Sequence, residues 1–188
     1  NGADIQSEVI DTIDIGCDVV FFAGHGSWGI WKTGDASLRA LDQTDMLTCR
    51  QVEQLSNKGR YPIVFATTCF SAIFDNPVGY SYDKRHNPTG AGIGVYFVES
   101  RLKGGIACIA HVGKTIASVP NKFAQWVINE MTMNGAERLG DAFVASKNRI
   151  PGYRRDIGYG IVLIGDPGLH VGERFRGVFG KDRGQWGG

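Results

Sequence analysis

The chain lacks any excess of charge: 20 lysines and arginines stand against 19 aspartates and glutamates over 188 residues. A balance this close offers no electrostatic footprint for nucleic acid or for an anionic membrane surface. Long apolar runs are missing as well. Residues 18–23 and 105–110 are short and bracketed by glycine or polar residues, so no segment reaches membrane-spanning length. There is no signal-peptide pattern and no initiator methionine. The opening Asn1-Gly2-Ala3 reads as the start of a processed or excised piece. Cysteine is sparse, and Cys17, Cys49, Cys69 and Cys108 show neither the CxxC nor the Cys/His spacing of a zinc site. One disulfide is compatible with that number, but no spacing points to it. Cys17 and Cys108 lie beside or inside apolar runs, where small buried hydrophobes are expected.

What is present fits one soluble globular domain with a single core: 43% hydrophobic and 11% aromatic residues, which excludes wholesale disorder. Glycine is abundant, at 27 residues. Part of it lies in the C-terminal stretch from Gly180 to Gly188, so residues 1–171 read as the domain and 172–188 as a glycine-rich tail or linker.

Apolar spacing predicts a helix over residues 3–15, then a buried strand over 17–23, bounded by glycines. A loop rich in glycine and tryptophan follows through residue 36. A helix capped by Thr44 or Asp45 is expected to run to about Asn57 and stop at Gly59. Residues 61–67 form the second buried strand, and 74–89 a turn-rich loop. A helix over 91–103 leads into a third strand over 106–110. Helices begin near Pro120 and Leu139, and residues 159–164 form the last strand. Short apolar strands alternating with helices predict an α/β fold, with a mostly parallel sheet covered on both faces. Ligands gather at the carboxyl ends of such strands. That draws attention to His25, Cys69 and His111, each just past a strand.

The two best-matched segments are Val19-Val20-Phe21-Phe22-Ala23-Gly24-His25-Gly26 and Ile63-Val64-Phe65-Ala66-Thr67-Thr68-Cys69. Neighbouring parallel strands lie about 4.8 Å apart, so side chains at the two tips come within reach of one substrate. A thiol attacks as thiolate; a nearby imidazole lowers its pKa and later protonates a leaving amine. The N–H of Gly26 can approach a carbonyl closely and, with that of Cys69, would form an oxyanion hole. The competing reading is plain: free cysteines are commonly core filler, and a histidine beside glycine is commonly a turn residue.

Four ordered segments resemble motifs of the C25 (gingipain) peptidase family. They are Phe22-Ala23-Gly24-His25-Gly26-Ser27, Thr67-Thr68-Cys69-Phe70, Gly104-Gly105-Ile106-Ala107-Cys108-Ile109-Ala110, and Leu163-Ile164-Gly165-Asp166-Pro167-Gly168-Leu169. The resemblance runs from about residue 2 to 171 and implies a caspase-like three-layer α/β/α sandwich. It makes His25 and Cys69 the dyad of a thiol endopeptidase, with the amides of Gly26 and Cys69 as oxyanion hole. It also gives residues 111–120 as a wall of the S1 pocket and the Gly-Asp-Pro turn as structural. The family includes secreted endopeptidases and a surface sortase, so it implies an extracellular or cell-surface setting and a protein or peptide substrate. Two departures stand out. The family's fold places a strand–helix unit before the strand leading to His-Gly, together with acidic residues that orient the histidine and set basic P1 preference. Here only 24 residues precede His25, so a separate N-terminal segment of the same precursor is an expected partner. The loop Gly113-Lys114-Thr115-Ile116-Ala117-Ser118 also lacks the family's tryptophan, so Arg/Lys preference does not carry over.

Candidate substrate contacts are Thr68 beside the nucleophile, Trp28 and Trp31 flanking the His-Gly loop, His111, and Ile116 in the pocket-wall loop. His111 also has a structural reading, as a hydrogen-bonded histidine. Residues 24–29 match GxGxxG after a strand, but Ile30-Trp31-Lys32-Thr33-Gly34-Asp35 is a poor helix start, which argues against dinucleotide binding. No cofactor or metal is called for. His86 and His170 have no ligand spacing, and a structural calcium at Asp35, Asp75 or Asp83 has no EF-hand spacing behind it. Lys84-Arg85-His86 and Arg154-Arg155-Asp156 read as solvated loop charges. Hydrolysis leads over two rivals, a sortase-like transpeptidase and a non-catalytic caspase-like binding or assembly module.

Overall fold

The computed structural model describes residues 2–33, 44–74, 90–100, 102–116, 118–171 and 175. The aspartates put forward for calcium, the Lys84-Arg85-His86 run and nearly all of the proposed tail lie outside these residues.

Helix α1 (Gly2–Ile15) precedes strand β1 (Val19–Phe22), and a short antiparallel pair follows, β2 (His25–Ser27) and β3 (Ile30–Thr33). Then come β4 (Thr44–Thr48), α2 (Cys49–Val52), β5 (Ile63–Ala66), α3 (Ile93–Glu99) and β6 (Ala107–His111). Helices α4 (Ser118–Thr132), α5 (Leu139–Lys147) and α6 (Arg155–Tyr159) lead to β7 (Ile161–Gly165). The main sheet has the order β1-β5-β6-β7, parallel except for β7, which runs antiparallel to β6. Strands β5 and β6 are buried along their whole length. That is why Ile-Val-Phe-Ala and Ala-Cys-Ile-Ala-His read as continuous apolar runs without alternation.

Alternate residues feed two cores. Val64, Ala66, Cys108, Ala110 and Ile164 face α1, α3 and the β2–β3 hairpin. Ile63, Phe65, Ala107, Ile109 and Ile161 face α4 and α5, where Phe123, Val127, Met131, Leu139 and Ala142 meet them. The result is a three-layer α/β/α arrangement, as expected.

Three local expectations fail. Residues 45–57 do not form one helix. Thr44–Thr48 is a strand that pairs with β3, and the cap belongs to Thr48, which forms a reciprocal capping box with Gln51 at the start of one short turn. The loop after Gly24 is likewise a hairpin and not irregular, so β2, β3 and β4 make a second, three-stranded sheet. The last strand begins later than residue 159, because 155–159 close a turn of helix. The Gly-Asp-Pro turn has a visible structural task. Arg138 supplies no side-chain cap to α5. Instead the carbonyls of Pro167 and Leu169 accept from the Gly140 and Leu139 amides at 2.8 and 2.9 Å, satisfying the helix's first donors.

Candidate active site

The register of the parallel strands sets the site. Phe22 lies opposite Ala66, and Ala66 opposite Ala110. His25, Cys69 and Gly113 each follow their member of that row by three residues, so the three loops leave the sheet side by side. The backbone confirms how near they come. A Cβ added at Gly26 would stand 2.0 Å from Thr68 Oγ1 and 2.7 Å from the Cys69 carbonyl oxygen. Only glycine lets the chain beside His25 lie against the chain beside Cys69.

The Cys69 turn is tied down on every side. Thr67 donates through its N–H and its hydroxyl to the Phe22 carbonyl, at 2.9 and 3.0 Å. Phe70 N–H donates to Gly113 O at 3.0 Å and Ala72 N–H to His111 O at 3.1 Å. Gly94 N–H donates to Ser71 O at 2.8 Å, and the buried Trp31 donates through Nε1 to Ser71 Oγ at 3.1 Å. Phe70 adopts a left-handed φ of 57°, a conformation costly for a residue with a Cβ. The bond to Gly113 and an edge contact with Trp28 at 5.8 Å hold it there. This sharp, held turn presents a half-buried Cys69, whose Sγ accepts from Thr115 N–H at 3.3 Å and donates to Thr115 O at 3.6 Å. The Cys69 N–H has no acceptor among the described residues.

His25 differs. It is half-buried at the first position of β2, opposite Lys32. Its imidazole has no hydrogen-bond or ion-pair partner among the described residues, and Lys32 pairs instead with Asp45 at 3.3 Å.

The other candidates separate. Thr68 is buried beside Cys69, and its Oγ1 has no hydrogen-bond partner among the described residues. Trp28 is half-buried and meets Phe70 edge-on. Ile116 is exposed at 58%, next to the thiol-capping Thr115. Trp31 does not line a cleft. At 2% exposure it stacks on Phe22 (4.6 Å) and Phe97 (5.4 Å), because its flat apolar ring fills the space between hairpin and sheet. His111 is the last residue of β6, 5% exposed, with both ring nitrogens engaged. Its structural reading is the one the geometry favours. Thr115, absent from the candidates, was missed because a main-chain contact leaves no mark on side-chain identity.

The remaining thiols stay apart from this chemistry. Burial pushes the Cys49 and Cys108 pKa values far up, with the Glu53 carboxylate adding to the effect at Cys49. Cys17 is half-buried, not core filler, and none of the four cysteines forms a disulfide. Among the described residues no cluster of three His, Cys, Asp or Glu side chains stands ready for a metal, and no helix is long and apolar enough to cross a membrane.

The family model for peptidase family C25 matches residues 1–172. Among solved structures, the chain is similar to the Arg-specific cysteine proteinase gingipain R, with 20% identity, a TM-score of 0.66 and 88% of the chain covered. It is equally similar to the complex of Porphyromonas gingivalis RgpB pro- and mature domains, at 19% identity, a TM-score of 0.66 and 88% coverage. A structure described only as a protease follows at 14% identity, a TM-score of 0.59 and 86% coverage. The chain spans 36%, 37% and 37% of those three chains respectively, little over a third of each. No curated protein matches it.

Proposed function

The chain belongs to peptidase family C25, and we propose that it is the nucleophile-bearing part of a thiol endopeptidase whose dyad is Cys69 and His25. The observation that carries this reading is the close approach of the two strand-end loops at Gly26, combined with a turn that holds Cys69 by its backbone.

In the proposed reaction the Cys69 thiolate attacks the scissile carbonyl carbon, and the carbonyl π electrons move onto oxygen. The amide of Cys69, which has no acceptor among the described residues, and that of Gly26 receive this oxyanion. Collapse breaks the C–N bond as the His25 imidazolium gives its proton to the departing amine, leaving a thioester on Cys69. His25 then takes a proton from water, which attacks the thioester and releases the acid and the thiol. Trp28 and Ile116 are the proposed substrate contacts. Thr68, expected among them, is buried with its hydroxyl closed off against Gly26, so it supports the contact between the two loops and does not meet a peptide. No carboxylate lies among the described residues of the three loops, so basic P1 preference is not proposed. A secreted or cell-surface setting follows from the same family.

A His25 imidazole with no partner among the described residues favours a second element of the proposal. Further protein, from the same precursor, completes the site by orienting the imidazole. The outer edge of β1 is the natural place for it: among the described residues β1 pairs only with β5, and Phe21 on it is 45% exposed. If that element is lacking, the chain serves as a non-catalytic module; if an amine replaces water, it is a transpeptidase.

The test is labelling of the purified protein with peptidyl acyloxymethyl ketones carrying varied P1 residues, read by intact mass and peptide mapping. One adduct on Cys69, lost in His25→Ala, is expected, and the reactive P1 residue names the specificity. Labelling of Cys69 no faster than of Cys17, in this chain and in a longer one, would contradict the reading.

A further inference from the structure

We propose that His111 is a positioning residue for the nucleophile: it clamps the 112–116 loop so that the Thr115 amide points at Cys69 Sγ. The inference rests on Cys69 being the nucleophile, but not on which peptide is cleaved or on how His25 is oriented.

The clamp is built from three hydrogen bonds, since in either tautomer Nδ1 pairs with only one of the two Gly113 groups it lies near. The His111 Nδ1 lies 3.0 Å from both the N–H and the carbonyl of Gly113, and Nε2 lies 3.0 Å from the Ile157 carbonyl. With the proton on Nε2, all polar capacity of the ring is used: Nε2–H donates to Ile157 O, and Nδ1 accepts from Gly113 N–H. The Val112 amide adds a bond to Gly160 O at 2.9 Å. Gly160 leaves just enough room for the ring, since a Cβ there would stand 2.4 Å from Nε2. The imidazole is thus wedged between the end of α6 and the tip of β6. Helix α6 is itself anchored, because Lys147 donates from α5 to the carbonyls of Gly158 and Ile161 beneath the ring of Phe143.

From this anchor the loop reaches the nucleophile twice. Gly113, held by the imidazole, accepts from the Phe70 amide and so fixes the left-handed residue after Cys69. Two residues on, Thr115 N–H donates to Sγ. Once the sulfur has lost its proton, the N–H aimed at it is a charge-assisted bond that holds the thiolate and fixes the direction from which it attacks, whereas the Thr115 carbonyl accepts from the thiol. A chain of half-buried hydrogen bonds therefore runs from α6 through His111 and Gly113 to the loop that meets the reacting atom, and His111 itself does not contact Sγ.

The test is the rate of Cys69 alkylation by iodoacetamide across pH, with Cys17 as internal reference, in two variants that each keep one arm of the clamp. His111→Asn places an acceptor where Nδ1 stands and keeps the Gly113 bond. His111→Gln keeps a donor toward Ile157 and loses the Gly113 bond. Losing a charge-assisted hydrogen bond to the thiolate is expected to slow alkylation of the Gln variant about tenfold at neutral pH and to move its pH midpoint upward. The Asn variant, which keeps the Gly113 bond but loses the Ile157 anchor, should fall between the Gln variant and the unmutated protein. Equal rates and midpoints in all three proteins would overturn the proposal. A second measurement needs no variant: amide hydrogen exchange should show Thr115 and Phe70 protected in the unmutated protein. Exchange of Thr115 at the rate of an exposed loop amide would overturn it as well. Both readouts follow the thiol and the loop directly, so a protein that cleaves no peptide can still pass or fail them.

Discussion

Two loops leave neighbouring strands at the same level, yet this chain treats them differently. The Cys69 turn is held by main-chain bonds from β1, β6, the 112–116 loop and α3, and by the indole of Trp31. The His25 loop is held close by the shape of Gly26, while its imidazole has no partner among the described residues. In the proposed dyad the difference separates the two halves by origin. Presentation of the proposed nucleophile is encoded in the described residues themselves. Orientation of the proposed base is assigned, in the same proposal, to groups beyond them.

Removing the support shared by both loops should have the largest effect. Trp31 touches the strand leading to His25 through Phe22 and the Cys69 turn through Ser71. Trp31→Ala should destabilise the fold by about 3–5 kcal/mol, as for other large buried aromatics, measured by urea unfolding. A loss well under that range would mean that the two loops do not lean on a common core.

Gly26→Ala probes the contact between the loops. The new methyl group would need the space of Thr68 Oγ1 and of the Cys69 carbonyl. Displacement of either loop by about 1 Å should slow covalent labelling of Cys69 about 10²-fold, with a smaller change in unfolding midpoint. Unchanged labelling would break the claim that the loops form one site. The smallest stability effect belongs to His25→Ala. A half-buried side chain with no described hydrogen bond should change stability by no more than about 0.5 kcal/mol, even though ketone labelling is lost. A large destabilisation would make His25 a structural residue and erase the contrast.

Much of this was legible in the chain's pattern because buried parallel strands must be apolar throughout. Ile63–Ala66 and Ala107–His111 could hardly be anything else, and the rule that sites gather at carboxyl ends then pointed to His25 and Cys69. The hairpin was not legible. Ile30–Thr33 and Thr44–Thr48 are short, and their partners are distant in sequence or joined by a tight turn, so local propensity had little to act on. Trp31 misled because an aromatic beside a histidine looks the same whether it faces a cleft or the core. His111 was noticed for its position, but its two bonds reach Gly113 and Ile157, and Ile157 is too far along the chain for spacing to reveal. Thr115 left no trace, since the group that meets the thiol is its backbone.

In the proposed reaction Cys69 carries an acyl group during turnover. Mixing the protein with a set of peptidyl thioesters and quenching in acid for intact-mass analysis would trap that group. One acyl adduct per chain is expected, mapped to Cys69, accumulating far more slowly in His25→Ala and absent in Cys69→Ala. An adduct that persists in Cys69→Ala, or none on Cys69 under any acyl donor in either this chain or a longer one, would contradict that reaction.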